Sequence, residues 1–444
     1  MNGMHNDVLV VGSGPGGAGV ARELARAGAR VTVLERGGTR PPSGSIRQAI
    51  RELWWPGRSM WLPGAPRAPV AVLRGVTLGG SSMYFFATAW EPPYEFLEPF
   101  GVDLRADADA LRAELSPAPL PEDRTGPRAQ LLAAAARRLG HDWRPVPKFV
   151  DAAALRACGP AGYGAARWTA RRFLDDAVAA GATVRTGALV DSLIVRQNRV
   201  HGVALAGGEE LHADTVIVAA GALGTPPLLR RAGVDRAGQD WFYDPVVAIN
   251  GVLDGLDAGF EPPMCGAAHH SDDGWMLTDL CRPPWLHEAL TLAVGRVDRL
   301  RQYRRTLSVM VKARDELSGT VSDRGVAHKP LAPVDRQRLR AGSDAARALL
   351  AEAGARHVHA TLRVAVHPGG TARIGAVVDA DLATDIDGLH VCDASVLPTA
   401  WGVPPTFTII SLARRLGRHL AGVRSRAAAS AAVPPSPSPS RSDH

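Results

Sequence analysis

Cysteine is scarce. Four occur among 444 residues, at Cys158, Cys265, Cys281 and Cys392, with no close CxxC pair. That spacing suggests neither a disulfide framework nor a zinc site. Long apolar runs are missing too, and none reaches the roughly 18 residues of a membrane span. The polar opening MNGMHND leads straight into VLVVGSG, without the charged segment and cleavage site of a secretory signal. Aromatic residues make up only 5% of the chain and do not interleave with basic ones as on a nucleic-acid-binding surface. Acidic residues fall short of basic ones, giving a net charge of +7, but part of the excess sits in tails and helices and is read as ordinary surface charge. The expected compartment is therefore the cytoplasm. The expected partner is a small-molecule substrate, with no nucleic acid and no metal.

What is present is an ordinary globular composition, 46% hydrophobic and 21% charged, in a chain long enough for two interleaved domains. Residues 7–12, DVLVVG, read as a short Val-rich strand, and GSGPGGAGVARELARAGA opens a helix directly after it. Between them, Gly12-x-Gly14-x-x-Gly17 has the spacing of a tight turn, a backbone that a pyrophosphate can approach, and close packing of helix on strand. Free N–H groups at the helix start favour the phosphate. A second strand, RVTVLERG, ends in Glu35, placed to accept hydrogen bonds from a ribose diol, with Arg36 beside it. Strand, turn, helix and terminal acid together indicate an adenine dinucleotide with an unphosphorylated ribose, either FAD or NAD.

Three further segments bear on that choice. LRGVTLGGSSMYFF at 73–86 carries Gly79, Gly80, Ser81 and Ser82, suited to backbone passing close to a flat ring. ADTVIVAAGALGTPPLLRRAGV at 213–234 reads as a buried strand, a glycine turn around Ala220, Gly221 and Gly224, and a helix. GLHVCDASVLPTA at 388–400 is another strand, ending in Asp393 and Ala394, with a polar end in reach of ribityl and phosphate oxygens.

With these motifs, and HPGGTARIG at 367–375 before VPPTFT at 403–408, the chain resembles the glucose–methanol–choline (GMC) oxidoreductases, closest to the branch of cholesterol and long-chain fatty-alcohol oxidases. The resemblance implies an FAD-dependent oxidation of an alcohol CH–OH group. It implies an α/β fold in which a Rossmann-like FAD-binding domain is assembled from discontinuous segments, beside an α+β substrate domain with an antiparallel sheet. The expected division is residues 1–240 and 365–423 for FAD, 241–364 for substrate, and lid or cap segments at about 45–72 and 88–150. Residues 424–444, rich in Ala, Pro and Ser, are expected to be disordered. FAD contacts are expected from Gly12, Ser13, Gly14, Gly16, Gly17, Glu35, Arg36, Gly79 to Ser82, Val190, Ala220, Gly221, Asp393, Ala394, Pro405 and Thr406. No histidine adjoins Gly79–Gly80, so the FAD is expected to be held non-covalently.

By the same resemblance His367 is the active-site base, and a neutral imidazole suits that task near neutral pH. The family's second position, His or Asn, falls on Pro404, which has neither a side-chain donor nor an N–H. Tyr84 stands where the family commonly has Asn. Asp315 or Glu316 of ARDELSG is the expected helper to His367. Loss of the pair leaves two alternatives open: a flavoprotein of another reaction type, such as desaturation, isomerisation or elimination, or a non-catalytic flavin-binding partner protein.

Other features read as structural. Trp54, Trp55 and Trp61 lie in a loop expected over the cofactor. PPWLHEALTLAVGRVDRLRQYRRTL reads as one helix with an apolar and a basic face, for which contact with a membrane surface is the less favoured role. His269 and His270 are expected in a polar loop. His357 and His359 alternate along a strand and lack further ligands at metal-binding spacing.

Overall fold

The computed structural model describes residues 6–40, 60–64, 68–72, 74–158 and 162–431. The N-terminal signals give the expected elements: strand Asn6–Val11, helix Pro15–Arg26 and strand Val31–Glu35. Val8, Leu9, Val10 and Val33 are fully or nearly fully buried, because parallel strands are covered on both faces. The sheet they open runs Thr183–Thr186, Val31–Glu35, Asn6–Val11, Glu210–Val218, all parallel, and Leu389–Val391 also joins Glu210–Val218 in parallel. An antiparallel extension, Arg199–Leu205 and Val190–Arg196, continues it.

One face of this sheet is covered by helix Pro15–Arg26, which packs on Ala170–Ala179 and on the C-terminal helix Thr406–Ala431. The approach is close: a Cβ on Gly19 would stand 2.7 Å from the Ala413 Cβ. The C-terminal helix runs to Ala431, so the expected disorder is corrected for residues 424–431; residues 432–444 lie outside the described residues. Arg424 lies within it and pairs with Asp7 at 2.8 Å, which gives that turn a partner the composition did not reveal.

A second, mainly antiparallel sheet holds Pro245–Val252, Thr306–Ala313, Trp275–Asp279 and Gly266–His270 in consecutive order. Helix Pro333–Glu352 covers it with Leu339, Ala346, Leu349 and Leu350 against Ile249, Leu277, Val309 and Val311. Strands Met60–Gly64 and Ala68–Val72 pair with each other and attach to this sheet through Val364–Ala365. Trp54 and Trp55 lie outside the described residues. Trp61 belongs to the first of these two strands. A small third sheet joins Gln239–Trp241, Ser318–Val321 and Ala327–His328.

Two readings are corrected here. His269 and His270 are strand residues, not loop residues; His270 stacks on Trp275 at 3.8 Å and His269 meets Trp90 edge-on. The expected single amphipathic helix is two pieces, an α-helix Pro284–Ala293 and a 3-10 segment Val297–Arg305, divided at Gly295 with φ +73°. Much of the 3-10 segment's basic character is matched locally: Arg299 with Asp298, Arg304 with Asp257, Arg305 with Asp254. Among the described residues no helix is long and apolar enough to cross a membrane.

Candidate active site

Between the two large sheets opens a cavity of about 1250 Å³. This exceeds the roughly 300–1,000 Å³ of a pocket for one drug-sized ligand. At one end lie Gly12, Ser13, Gly14, Gly16, Glu35 and Arg36; at the other, His367, Pro404 and Lys312.

The dinucleotide turn is built as its spacing requires. Gly12 has φ +108°, and a Cβ there would stand 2.2 Å from the Ala219 carbonyl oxygen. A Cβ on Gly17 would stand 2.1 Å from Gly12 O, so helix and strand touch through backbone. At Gly14, which lines the cavity, the added Cβ meets nothing within 4 Å. Glu35 Oε2 accepts hydrogen bonds from Ser13 N and Oγ, at 3.2 and 2.5 Å, and Oε1 accepts from Gly37 N at 2.7 Å. Ser13 Oγ in turn accepts from Gly79 N at 3.1 Å, which ties the LGGSS stretch to the turn.

Most of the other expected contact residues also line the cavity: Gly80, Ser81, Ser82, Val190, Ala220 and Gly221. Asp393, Ala394, Pro405 and Thr406 complete that wall. Gly17 and Gly79 are set back and serve packing and turn geometry. Both Asp393 oxygens are engaged by the chain's own donors: Oδ2 accepts from Gly221 N and Thr225 Oγ1, Oδ1 from Ser395 N. Five arginines, Arg36, Arg74, Arg167, Arg231 and Arg324, line the cavity together with Lys312, against the carboxylates Glu35 and Asp393. An open glycine turn at a helix N-terminus, a carboxylate at the second strand's end and an excess of cations fit an adenine dinucleotide with its pyrophosphate.

At the other end His367 is fixed by the chain before the second sheet. Phe242 and Gly369 exchange two backbone hydrogen bonds of 3.0 Å, and Val366 N donates to Tyr243 O at 3.0 Å. The paired glycines are needed here, since a Cβ on Gly369 would stand 2.3 Å from the Phe242 ring. This ladder brings Asp244 beside His367, with Asp244 Oδ2 3.2 Å from His367 Nδ1. Lys312, from the centre of strand Thr306–Ala313, places Nζ 2.7 Å from the same Oδ2 and 3.1 Å from Nδ1. With Nδ1 so engaged, Nε2 is the ring nitrogen left for the cavity.

Burial, and then the Lys312 charge, hold the His367 imidazole below its ordinary value against the opposing pull of Asp244. Burial pulls the Asp244 carboxyl upward, but Lys312 and the bond from His367 outweigh it, so the group sits below the usual carboxylate range. Burial lowers the Lys312 ammonium, opposed by Asp244. The arrangement favours a neutral base beside an anionic carboxylate.

The expected helpers are corrected. Asp315 does not line the cavity; its carboxylate accepts from Tyr243 N and Asp244 N and pairs with buried Lys329 at 3.1 Å. Glu316 is half exposed and bonded to Arg338 at 2.7 Å. The residues that sequence reasoning missed are Asp244 and Lys312. A lone lysine inside the apolar run TLSVMVKA was the available signal. The apolar wall, Phe260, Met264, Trp285, Leu286 and Met310, was also missed, because it is gathered from three separated segments. Among the described residues, no group of three or more His, Cys, Asp or Glu side chains is placed to hold a metal ion.

Residues 7–251 match the family model described as FAD dependent oxidoreductase, and residues 296–413 the one described as GMC oxidoreductase. The chain is 32% identical to an uncharacterized GMC-type oxidoreductase of Mycobacterium tuberculosis, over 92% of this chain and 74% of that protein. It is 25% identical to a long-chain-alcohol oxidase of Arabidopsis thaliana, over 94% and 68%. In fold it is similar to pyridoxine 4-oxidase from Mesorbium loti, with a TM-score of 0.70 at 18% identity, covering 94% of this chain and 99% of that one. A formate oxidase of Aspergillus oryzae is similar in the same sense, with a TM-score of 0.72 at 16% identity over 96% and 100%.

Proposed function

The chain belongs to the GMC oxidoreductases, an FAD-dependent family, and on that premise we propose that it oxidises the CH–OH group of an organic alcohol with His367 as base. The observation that carries this reading is the placement of His367: one ring nitrogen is tied back to Asp244 and Lys312, and the ring lines a cavity that continues to the dinucleotide turn. Residues 1–240 and 365–423 form the cofactor domain in this reading, and 241–364 the substrate domain. FAD would be held non-covalently by the glycine turn, Glu35 and the 80–82 and 394–406 walls, and it supplies the hydride acceptor.

The protein's own part is to bind the alcohol and move a proton. Neutral His367 accepts the hydroxyl proton on Nε2, and the imidazolium so formed is compensated by Asp244. The wall of Phe260, Met264, Trp285, Leu286 and Met310 offers contact to an apolar substrate body, small or lipidic. Likeness to long-chain-alcohol oxidases supports the alcohol, and the apolar wall supports the apolar body.

Anaerobic mixing of the purified holoprotein with a graded series of primary and secondary alcohols tests this. Bleaching of the oxidised flavin spectrum is the expected result, and no bleaching by any member of the series counts against it. Pro404 in the cavity wall favours a second reading, a flavoprotein of another reaction type, since that position offers no donor to a substrate oxygen. Conversion of a substrate without net flavin reduction would support that second reading.

A further inference from the structure

We propose that the buried pair Asp244–Lys312 selects the working tautomer of His367, and so takes over, from the substrate sheet, the supporting role that Pro404 cannot supply. The inference rests on the reading of His367 as base. Asp244 and Lys312 are positioning residues in it; the group that meets substrate is His367.

Lys312 is the one charged residue of strand Thr306–Ala313, whose eight residues are all buried. A lone buried ammonium costs several kcal/mol unless it is paired. Its pair, Asp244, stands in a left-handed backbone conformation, φ +41°, which an L-residue keeps only when its surroundings hold it there. The holding groups are visible: Asp315 accepts the N–H groups of Tyr243 and Asp244, and Lys329 neutralises Asp315. Two acid–lysine pairs therefore stand one behind the other, and the front pair meets a single ring nitrogen at the cavity wall.

That nitrogen admits only one of two arrangements in the neutral ring. Either Nδ1 carries the proton and donates to Asp244 Oδ2, or its lone pair accepts from Lys312 Nζ. The first leaves Nε2 bare, a base; the second puts the proton on Nε2, a donor with no capacity to accept. The two contacts of Nδ1 are nearly equal, 3.2 Å to Asp244 Oδ2 and 3.1 Å to Lys312 Nζ, so charge rather than length makes the choice: the 2.7 Å bond between Lys312 and Asp244 joins opposite charges and is the strongest of the three. Lys312 thus keeps Asp244 anionic, and anionic Asp244 draws the Nδ1 proton. The alcohol O–H bond then breaks as Nε2–H forms, while the C–H bond yields its hydride to FAD, so the two electrons leave with the hydride and both nitrogens end protonated. The charged groups facing His367 are Lys312 from the strand and Asp244 from the 242–244 segment. Asp315 stands behind Asp244, and His269 feels both Lys312 and Asp244 from the neighbouring strand.

The test is ¹⁵N NMR of the ring-labelled holoprotein near pH 8, with His367 assigned by difference against His367→Gln. The expected spectrum shows Nδ1 protonated and Nε2 bare. Asp244→Asn should move the proton to Nε2 and slow flavin reduction by about 10²-fold or more. Lys312→Met should raise the His367 titration midpoint by about one pH unit, since a neighbouring cation is removed; Lys312→Arg should restore most of the original midpoint. A protonated Nε2 in the unmodified protein would overturn the proposal even if neither variant folds. If the tautomer is as stated and no alcohol reduces the flavin, the tautomer assignment stands and the alcohol reading fails instead.

Discussion

Two glycines two positions apart should respond to substitution in opposite ways. Gly12→Ala forces an L-residue to φ +108° and drives its Cβ to 2.2 Å from Ala219 O. Ala219 cannot retreat freely, because its N–H donates to Val11 O at 2.8 Å in the central strands. Backbone strain of about 1–3 kcal/mol and an overpacking cost of similar size add to roughly 2–6 kcal/mol. Gly14 has φ −68° and ψ −177°, an ordinary extended conformation, and a Cβ there meets nothing within 4 Å. Gly14→Val should therefore leave the apoprotein intact and act only on the ligand, by filling the space that a pyrophosphate approaches. The assay is a pair of melting curves on flavin-free protein with a flavin titration of each variant. Gly12→Ala should lower the apoprotein melting temperature by about 2–6 °C, since about 1 kcal/mol shifts a chain of this length by about 1 °C. Gly14→Val should leave it within about 1 °C while weakening FAD binding at least tenfold, a loss of about 1.4 kcal/mol. If Gly14→Val lowers apoprotein stability as much as Gly12→Ala, or binds FAD unchanged, the assignment of that space to the phosphates is wrong.

His367→Ala should retain FAD and lower the rate of flavin reduction by about 10²- to 10⁴-fold; an unchanged rate removes the histidine from the mechanism. Because the His367 imidazole is held below its ordinary value of 6.5, the acid limb of the reduction rate should lie below pH 6.5. A limb above that value contradicts the geometry. His287 is lowered to about 4, by burial first and the Arg282 charge second. Its folded value lies below its unfolded one, so its share of stability is complete above about pH 6.5 and is lost as the pH falls toward 4. His287→Gln should flatten the stability profile between those values, as read from denaturant midpoints. Truncation after Val423 removes the partly exposed Arg424–Asp7 pair and should lower the melting temperature by no more than about 2 °C, since such pairs contribute about 0–1 kcal/mol. A larger fall would show that the last helical turns contribute more to stability than that pair alone.

The sequence by itself determined the dinucleotide half of the molecule. Gly12, Gly14, Gly17 and Glu35 are close in the chain, and their roles are set by local backbone geometry, so spacing alone was informative. Tertiary structure decided the other half of the site. Asp315 or Glu316 was the expected helper for His367, but the fold puts the Asp315 carboxylate behind Tyr243 and Asp244, where it pairs with Lys329. Asp244, 123 residues from His367, reaches it only because the Phe242–Gly369 bridge aligns the two segments. Lys312 was invisible as a partner because a cation buried in an apolar strand acquires its meaning from the carboxylate opposite it, and that pairing belongs to the packed fold, not to the chain.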